Sequence, residues 1–326
     1  VDAGRGRLVT VREDHSAGGH YPENTITAIG FDGLETVLVD GNDFYAAPRI
    51  SPDGNHLAWL CWDHPRMPWE GTELWLADIL EDGSLANGRL IAGGPQESIC
   101  QPEWSPGGLL HFVSDRSGWW NLYSYDHGVV HALCPREAEF GGPQWTFGGS
   151  LYGFRAEDDI VCTYVEGGVG KLARLRGGEL TDIATPYQEI RELRVNSETV
   201  ALLGGAPTVA LELARIDLDT GKHEVLARSI ESLPPEGYLS SPRSISYPSA
   251  NGRTAYAFHY PPANADFAPL AGELALGTVA IDKPEFVVGR DREGRISLLS
   301  LVPKPSAKPA EPAPAPAPKA FEAPPS

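Results

Sequence analysis

Two short markers recur along the chain and keep step with each other. One is a Leu-bearing strand: Glu73-Leu74-Trp75, Asn121-Leu122-Tyr123, Lys171-Leu172-Ala173 and Glu212-Leu213-Ala214, at spacings of 48, 50 and 41 residues. The other is a Pro followed by a polar-aromatic turn: Pro48-Arg49-Ile50-Ser51-Pro52, Pro102-Glu103-Trp104-Ser105-Pro106 and Pro143-Gln144-Trp145-Thr146-Phe147, at spacings of 54 and 41. Each copy closes with a Gly-bearing turn and a further leucine, at Leu90, Leu133, Leu180 and Leu226. A period of roughly 40–50 residues made of short strands is the mark of a β-propeller. A single four-stranded blade cannot bury both of its faces, so such units must stack on one another.

The best-preserved copy runs from Asp43 to Asp78. Ser51-Pro52-Asp53-Gly54 is a turn with a mechanism: Pro sets φ at the first central position, Asp bonds its own backbone, and Gly accepts positive φ. After it, Leu57, Trp59 and Cys61 alternate with Ala58 and Leu60, the pattern of a strand buried on both faces. A loop rich in Pro and Trp leads to a second strand over 73–78, and Gly83 and Gly88 bracket the turn to a third around Arg89-Leu90-Ile91. Residues 1–41 hold three more alternating runs, Arg7–Glu13, Thr25–Ile29 and Glu35–Val39, one short of a full blade. The expected fold class is therefore all-β: a β-propeller with about five four-stranded blades visible over 1–231 and an incomplete ring.

Composition agrees with many short strands and tight turns, since 36 Gly and 8 Trp accompany a single Met and no long 3.6-residue periodicity. Net charge is −18, and because residues 303–326 hold three lysines against two glutamates, the rest of the chain carries −19. Such a surface disfavours nucleic acid and anionic membranes as partners. The four cysteines, Cys61, Cys100, Cys134 and Cys162, include no C-x-x-C pair and lie mostly in apolar strand-like stretches. They are expected to be buried free thiols of a reducing, cytoplasmic setting. No apolar run reaches the ~20 residues of a membrane-spanning helix. The N-terminus shows no signal-peptide pattern and opens directly into strand-like sequence, as a fragment would.

From Ser232 the repeat gives way. Leu233-Pro234-Pro235-Glu236-Gly237 reads as a linker, and Asn251-Gly252 is a hairpin turn signal between Ile245-Ser246-Tyr247 and the strand 254–260. Residues 232–270 are thus a linker and a hairpin foreign to the repeat. Residues 271–302 stay unassigned, with strand-like runs at 274–281, 285–288 and 296–302. Residues 303–326 hold nine of the 29 prolines in an Ala/Pro/Lys alternation, expected to be a disordered tail.

Four stretches together carry a resemblance: Arg7–His15, Asp43–Asp78, the run Ser114-Asp115-Arg116-Ser117-Gly118-Trp119-Trp120-Asn121-Leu122-Tyr123, and the hairpin Ile245–Pro262. In this order they are similar to the prolyl-oligopeptidase family of serine peptidases, nearest its dipeptidyl-peptidase and acylaminoacyl-peptidase-like members, over about residues 1–270. The resemblance implies an N-terminal propeller that caps an α/β-hydrolase domain, admits short peptides and leaves chemistry to a Ser-Asp-His triad there; it makes residues 232–270 a linker and the first hairpin of that hydrolase domain, truncated in this sequence. No G-x-S-x-G elbow occurs in the sequence; Gly148-Gly149-Ser150-Leu151-Tyr152 is the nearest miss. No triad residue can therefore be assigned. The expected role is a substrate-gating propeller of a peptidase acting on short peptides, inactive alone, with an α/β-hydrolase catalytic domain as partner and self-association through open propeller edges. The other reading is a non-catalytic propeller that binds a peptide or protein.

Within the chain, the loop Trp62-Asp63-His64-Pro65-Arg66-Met67-Pro68-Trp69 is the most function-like feature, placing aromatics, a cation and an imidazole between two strands of one blade. Asp63, His64, Arg66 and Trp69 are the substrate-channel candidates. The alternative for the tryptophans is plain packing against a neighbouring blade. Asp115-Arg116-Ser117-Gly118 reads as a turn held by an Asp–Arg pair. Gly167-Gly168-Val169-Gly170-Lys171 lacks the first glycine and following Ser/Thr of a phosphate loop and reads as a β-turn. His127 and His131, four apart, flank a turn rather than a helix face, so no metal or cofactor is expected.

Overall fold

The structure is a computed structural model that describes residues 1–263 apart from 17, 19, 20, 250, 251 and 262. The expectations for 271–302 and for the tail 303–326 lie outside the described residues. Twenty-one strands form antiparallel sheets, joined by turns and two short 3-10 segments.

The first sheet has three strands, β1 (Arg7–Asp14), β2 (Glu23–Gly30) and β3 (Glu35–Val39). The second is β4 (Phe44–Ile50), β5 (His56–Trp62), β6 (Glu73–Ile79) and β7 (Leu85–Gly93). The third is β8 (Ile99–Trp104), β9 (Leu110–Ser114), β10 (Asn121–Asp126) and β11 (Val129–Ala132). The fourth is β12 (Tyr152–Ala156), β13 (Asp159–Glu166), β14 (Val169–Arg176) and β15 (Glu179–Ile183). The fifth is β16 (Glu189–Val195), β17 (Thr199–Ala206), β18 (Val209–Asp217) and β19 (His223–Arg228). Every sheet is a meander, as short turns between successive strands require. A separate hairpin pairs β20 (Arg243–Pro248) with β21 (Thr254–His259).

The four Leu markers all lie on the third strand of their four-stranded sheets. The Pro markers behave differently. Pro48 and Pro102 sit on first strands, β4 and β8, each beside a bulge where Ala47 or Gln101 takes positive φ. Pro143-Gln144-Trp145-Thr146-Phe147 does not: it belongs to the long connection between β11 and β12, and the first strand of the fourth sheet begins only at Tyr152. Its likeness to the other two is one of local sequence.

Period-2 alternation gives each sheet two apolar faces, and each face meets a neighbour. Ile26 of β2 packs with Tyr45, Leu57 and Trp59 of the second sheet. Leu60 and Leu74 meet Leu110 and Phe112. Val113, next to Phe112 but on the opposite face, joins Leu122 against Tyr152 and Ile160. Val161 and Leu172 then face Leu193, Val200 and Leu202. The fifth sheet breaks the series. Leu74, Leu122 and Leu172 are at most 1% exposed, whereas the equivalent Leu213 is 40% exposed on a face that no described sheet covers. Leu8 of β1 stands 42% exposed at the other end of the stack.

The turn 115–118 exists, closed by Gly118 N–H on the Asp115 carbonyl at 2.8 Å, but not through an Asp–Arg pair. The Asp115 carboxylate accepts the Ser98 N–H, and Arg116 pairs with Glu97 at 2.8 Å while lying over the Tyr123 ring. The Gly167–Lys171 run is the β13–β14 turn, with Lys171 bound to Glu166 at 2.7 Å. His127 lies in the β10–β11 turn beside the Asp126 carboxylate and His131 lies on β11. All four cysteines are free, and burial pushes the Cys61 and Cys100 thiols up to about 12, which keeps them protonated and unreactive. No described helix is long and apolar enough to cross a membrane.

Two predictions follow from this packing. Leu122→Ala and Leu172→Ala should each cost about 2–5 kcal/mol in urea unfolding. Leu213→Ala should cost about 1 kcal/mol or less, because it removes a side chain that remains in water. The second concerns His111, buried between the third and fourth sheets, where it meets the Phe154 ring edge-on and binds the Leu109 carbonyl through Nδ1. Burial lowers its pKa, opposed by that hydrogen bond and by Glu157 and Asp158. The unfolded chain therefore takes up a proton at His111 more readily than the native one, so this contribution is complete above the ordinary histidine pKa and lost as pH falls below it. His111→Gln should shrink the loss of stability between pH 7.5 and 5 measured by urea midpoints.

Candidate functional site

Because the sheets are meanders, turns between first and second strands lie at one end of the molecule and loops between second and third strands at the other. The links from one sheet to the next share that second end. The loop 63–72, between β5 and β6, is therefore on the same end as the connection between β11 and β12.

Hydrogen bonds fix the loop at both of its roots. The Asp63 carboxylate accepts Asn42 Nδ2 at 3.0 and 3.2 Å and the Asp43 N–H at 2.8 Å. The Asp43 carboxylate in turn accepts the His64 N–H at 2.9 Å. Farther along, the Glu70 carboxylate accepts the Met67 N–H at 2.8 Å, and the Pro68 carbonyl accepts the buried Ser98 hydroxyl at 2.6 Å. Thr72 closes the loop by donating its hydroxyl to the Ile99 carbonyl at 3.1 Å. The same carbonyl accepts Gln144 Nε2 from the β11–β12 connection at 2.7 Å, so one backbone group anchors both segments. Gly93 permits the close approach at Thr72: its φ is +93°, and a Cβ there would collide with the Thr72 carbonyl.

Between the two segments lies a pocket of about 300 Å³. Trp62 lines it from the end of β5, Trp69 from the loop, Phe44 from β4, and Trp145 and Phe147 from the β11–β12 connection. Trp62 stacks on Phe44 with centroids 5.3 Å apart, and Trp69 meets Trp145 at 4.3 Å. His64 is held between Phe44 and Tyr21, at 4.8 and 4.7 Å. Trp62 thus both packs within the sheet stack and lines the pocket, so the two readings of the loop tryptophans are not exclusive.

His64, Arg66 and Trp69 line the pocket. Asp63 does not; its carboxylate is the bracket that holds the loop's root to Asn42 and Asp43. Phe44, Gln144, Trp145 and Phe147 were not among the sequence candidates. Phe44 sits inside the best-preserved repeat and could have been found from its place one residue before the buried Tyr45. Trp145 was hidden by its likeness to a strand marker. The residues lining the pocket include neither Ser nor Cys, and Ser150 of the near-miss elbow donates to the Tyr152 carbonyl at 3.3 Å. Among the described residues no group of three or more His, Cys, Asp or Glu side chains converges as metal ligands would.

No protein-family model matches the chain, and no curated protein does. Solved structures do. A puromycin hydrolase is 36% identical over 79% of this chain, with a TM-score of 0.73. A puromycin-hydrolyzing peptidase of Mycobacterium tuberculosis is 34% identical over 79% of the chain, with a TM-score of 0.72. In both cases the chain spans 41% of the other protein's length. Prolyl oligopeptidase B of Galerina marginata, 14% identical with a TM-score of 0.60 over 78% of the chain, shares the fold. The stacked four-stranded meanders, the order of the repeats and the hairpin after them, matched at this identity, make the chain a β-propeller portion of the prolyl-oligopeptidase family of serine peptidases.

Proposed function

We propose that this chain is the substrate-gating propeller of a peptidase that acts on short peptides, with the chemistry performed by an α/β-hydrolase domain. The observation that carries this reading is the end of the sheet stack at which the pocket lies. β19 runs toward the end of the molecule that holds the pocket, and the chain leaves from that end into the β20–β21 hairpin. Phe258 of β21 lies against Gly168 in the β13–β14 loop, on the same end. A ligand in the aromatic pocket would therefore face the side on which the chain continues. The hairpin offers surface for a catalytic domain to cover, since Tyr247, Tyr256 and Tyr260 are 49%, 77% and 60% exposed. The free thiols fit a cytoplasmic setting.

Binding alone lowers no chemical barrier without a nucleophile, a base and an oxyanion hole. The chain by itself should leave capped aromatic peptides intact but bind them. Titration of an acetyl- and amide-capped tripeptide with a central Phe, followed by tryptophan fluorescence, should give a saturable change that Trp145→Ala weakens about tenfold or more, as loss of a stacked aromatic does. Hydrolysis by the purified chain, or no binding at all, would overturn this reading.

The faces of the first and fifth sheets that no described sheet covers carry a second expectation. Apolar residues left in water on a sheet face, Leu8 and Leu213 among them, favour contact between copies. Sedimentation should show concentration-dependent association that Leu213→Lys reduces. A monodisperse monomer at micromolar concentrations counts against it.

A further inference from the structure

We propose that the aromatic pocket recognises the C-terminal carboxylate of a peptide whose last side chain is apolar or aromatic, and that Arg66 is the residue that reads the carboxylate. This rests on the pocket being a peptide site and deepens that reading.

The chain carries a net charge of −18, yet Arg66 is the one arginine or lysine among the residues lining this pocket. Its Nε is buried without a hydrogen-bond partner among the described residues, and no described carboxylate pairs with its guanidinium. Other arginines of the fold behave differently: Arg49 holds Glu103, Arg116 holds Glu97 and Arg174 holds Asp159. The acids nearest Arg66 in sequence are already engaged, Asp63 by Asn42 and the Asp43 N–H, and Glu70 by the Met67 N–H. A guanidinium that no described carboxylate holds keeps its charge and its terminal donors for a ligand, and a carboxylate matches its fork.

The walls set the rest of the ligand. Tryptophan faces at Trp62, Trp69 and Trp145 suit a flat or apolar side chain. An aromatic box can also hold a cation, but Arg66 already places a positive charge there, so a ligand's free amine is disfavoured. The volume, about 300 Å³, is at the small end for ligand pockets, roughly 300–1,000 Å³, and fits a terminal residue better than an extended segment.

The test compares acetyl-Ala-Phe as the free acid with the same peptide as its C-terminal amide, both titrated into the intact chain by tryptophan fluorescence. The acid should bind about tenfold or more tightly than the amide, the worth of one charge-assisted contact. Arg66→Gln should abolish the difference between the two peptides, with an unchanged far-UV circular dichroism spectrum and urea midpoint showing that the variant is folded. Arg66→Lys should keep part of the preference. Equal binding of acid and amide by the wild type, or a preference that survives in Arg66→Gln, would overturn the assignment of Arg66 and leave the peptide pocket standing. If neither peptide binds, the pocket reading itself fails.

Discussion

Each sheet of this protein has two apolar faces and cannot stand alone. From that constraint most of the architecture follows. Alternation places Phe112 on one face of β9 and Val113 on the other, so the third sheet must have a neighbour on each side. Leu74, Leu122 and Leu172 record the same demand in three successive sheets, and Leu213 lies half-exposed on a face that no described sheet covers. Stability in such a stack is a sum over interfaces between neighbours, so the faces that end it are its weakest part.

The stacking also makes the pocket. Residues of both the loop 63–72 and the connection 133–151 line it. They meet because adjacent sheets bring the ends of β5 and β11 to the same side, and because Thr72 and Gln144 bind one carbonyl, that of Ile99. Polar groups that look catalytic in a list, such as Asp63 and Glu70, are used to shape the loop. Arg66 lines the pocket beside its tryptophans, and its Nε is one of the buried polar atoms left without a partner among the described residues.

Comparison with solved structures gives the fold and the family but a limited share of the protein to which such a propeller belongs. The chain spans 41% of the puromycin hydrolase that it resembles.

The sequence by itself determined the repeat, the strand count of each blade and the family, because alternation and Gly- and Pro-bearing turns fall within one unit and the Leu markers recur from one unit to the next along the chain. It also pointed to the loop Trp62–Trp69, through the density of aromatic and charged residues between two strands. Tertiary structure decided the rest. Only in three dimensions does Pro143–Phe147 part from the strand markers that it mimics, since a bulged first strand and a pocket wall can share a Pro-x-Trp run. Only there does Asp63 become a bracket and Arg66 an unpaired donor, because the difference lies in which backbone groups are within reach, and reach is set by the packing of one sheet on the next.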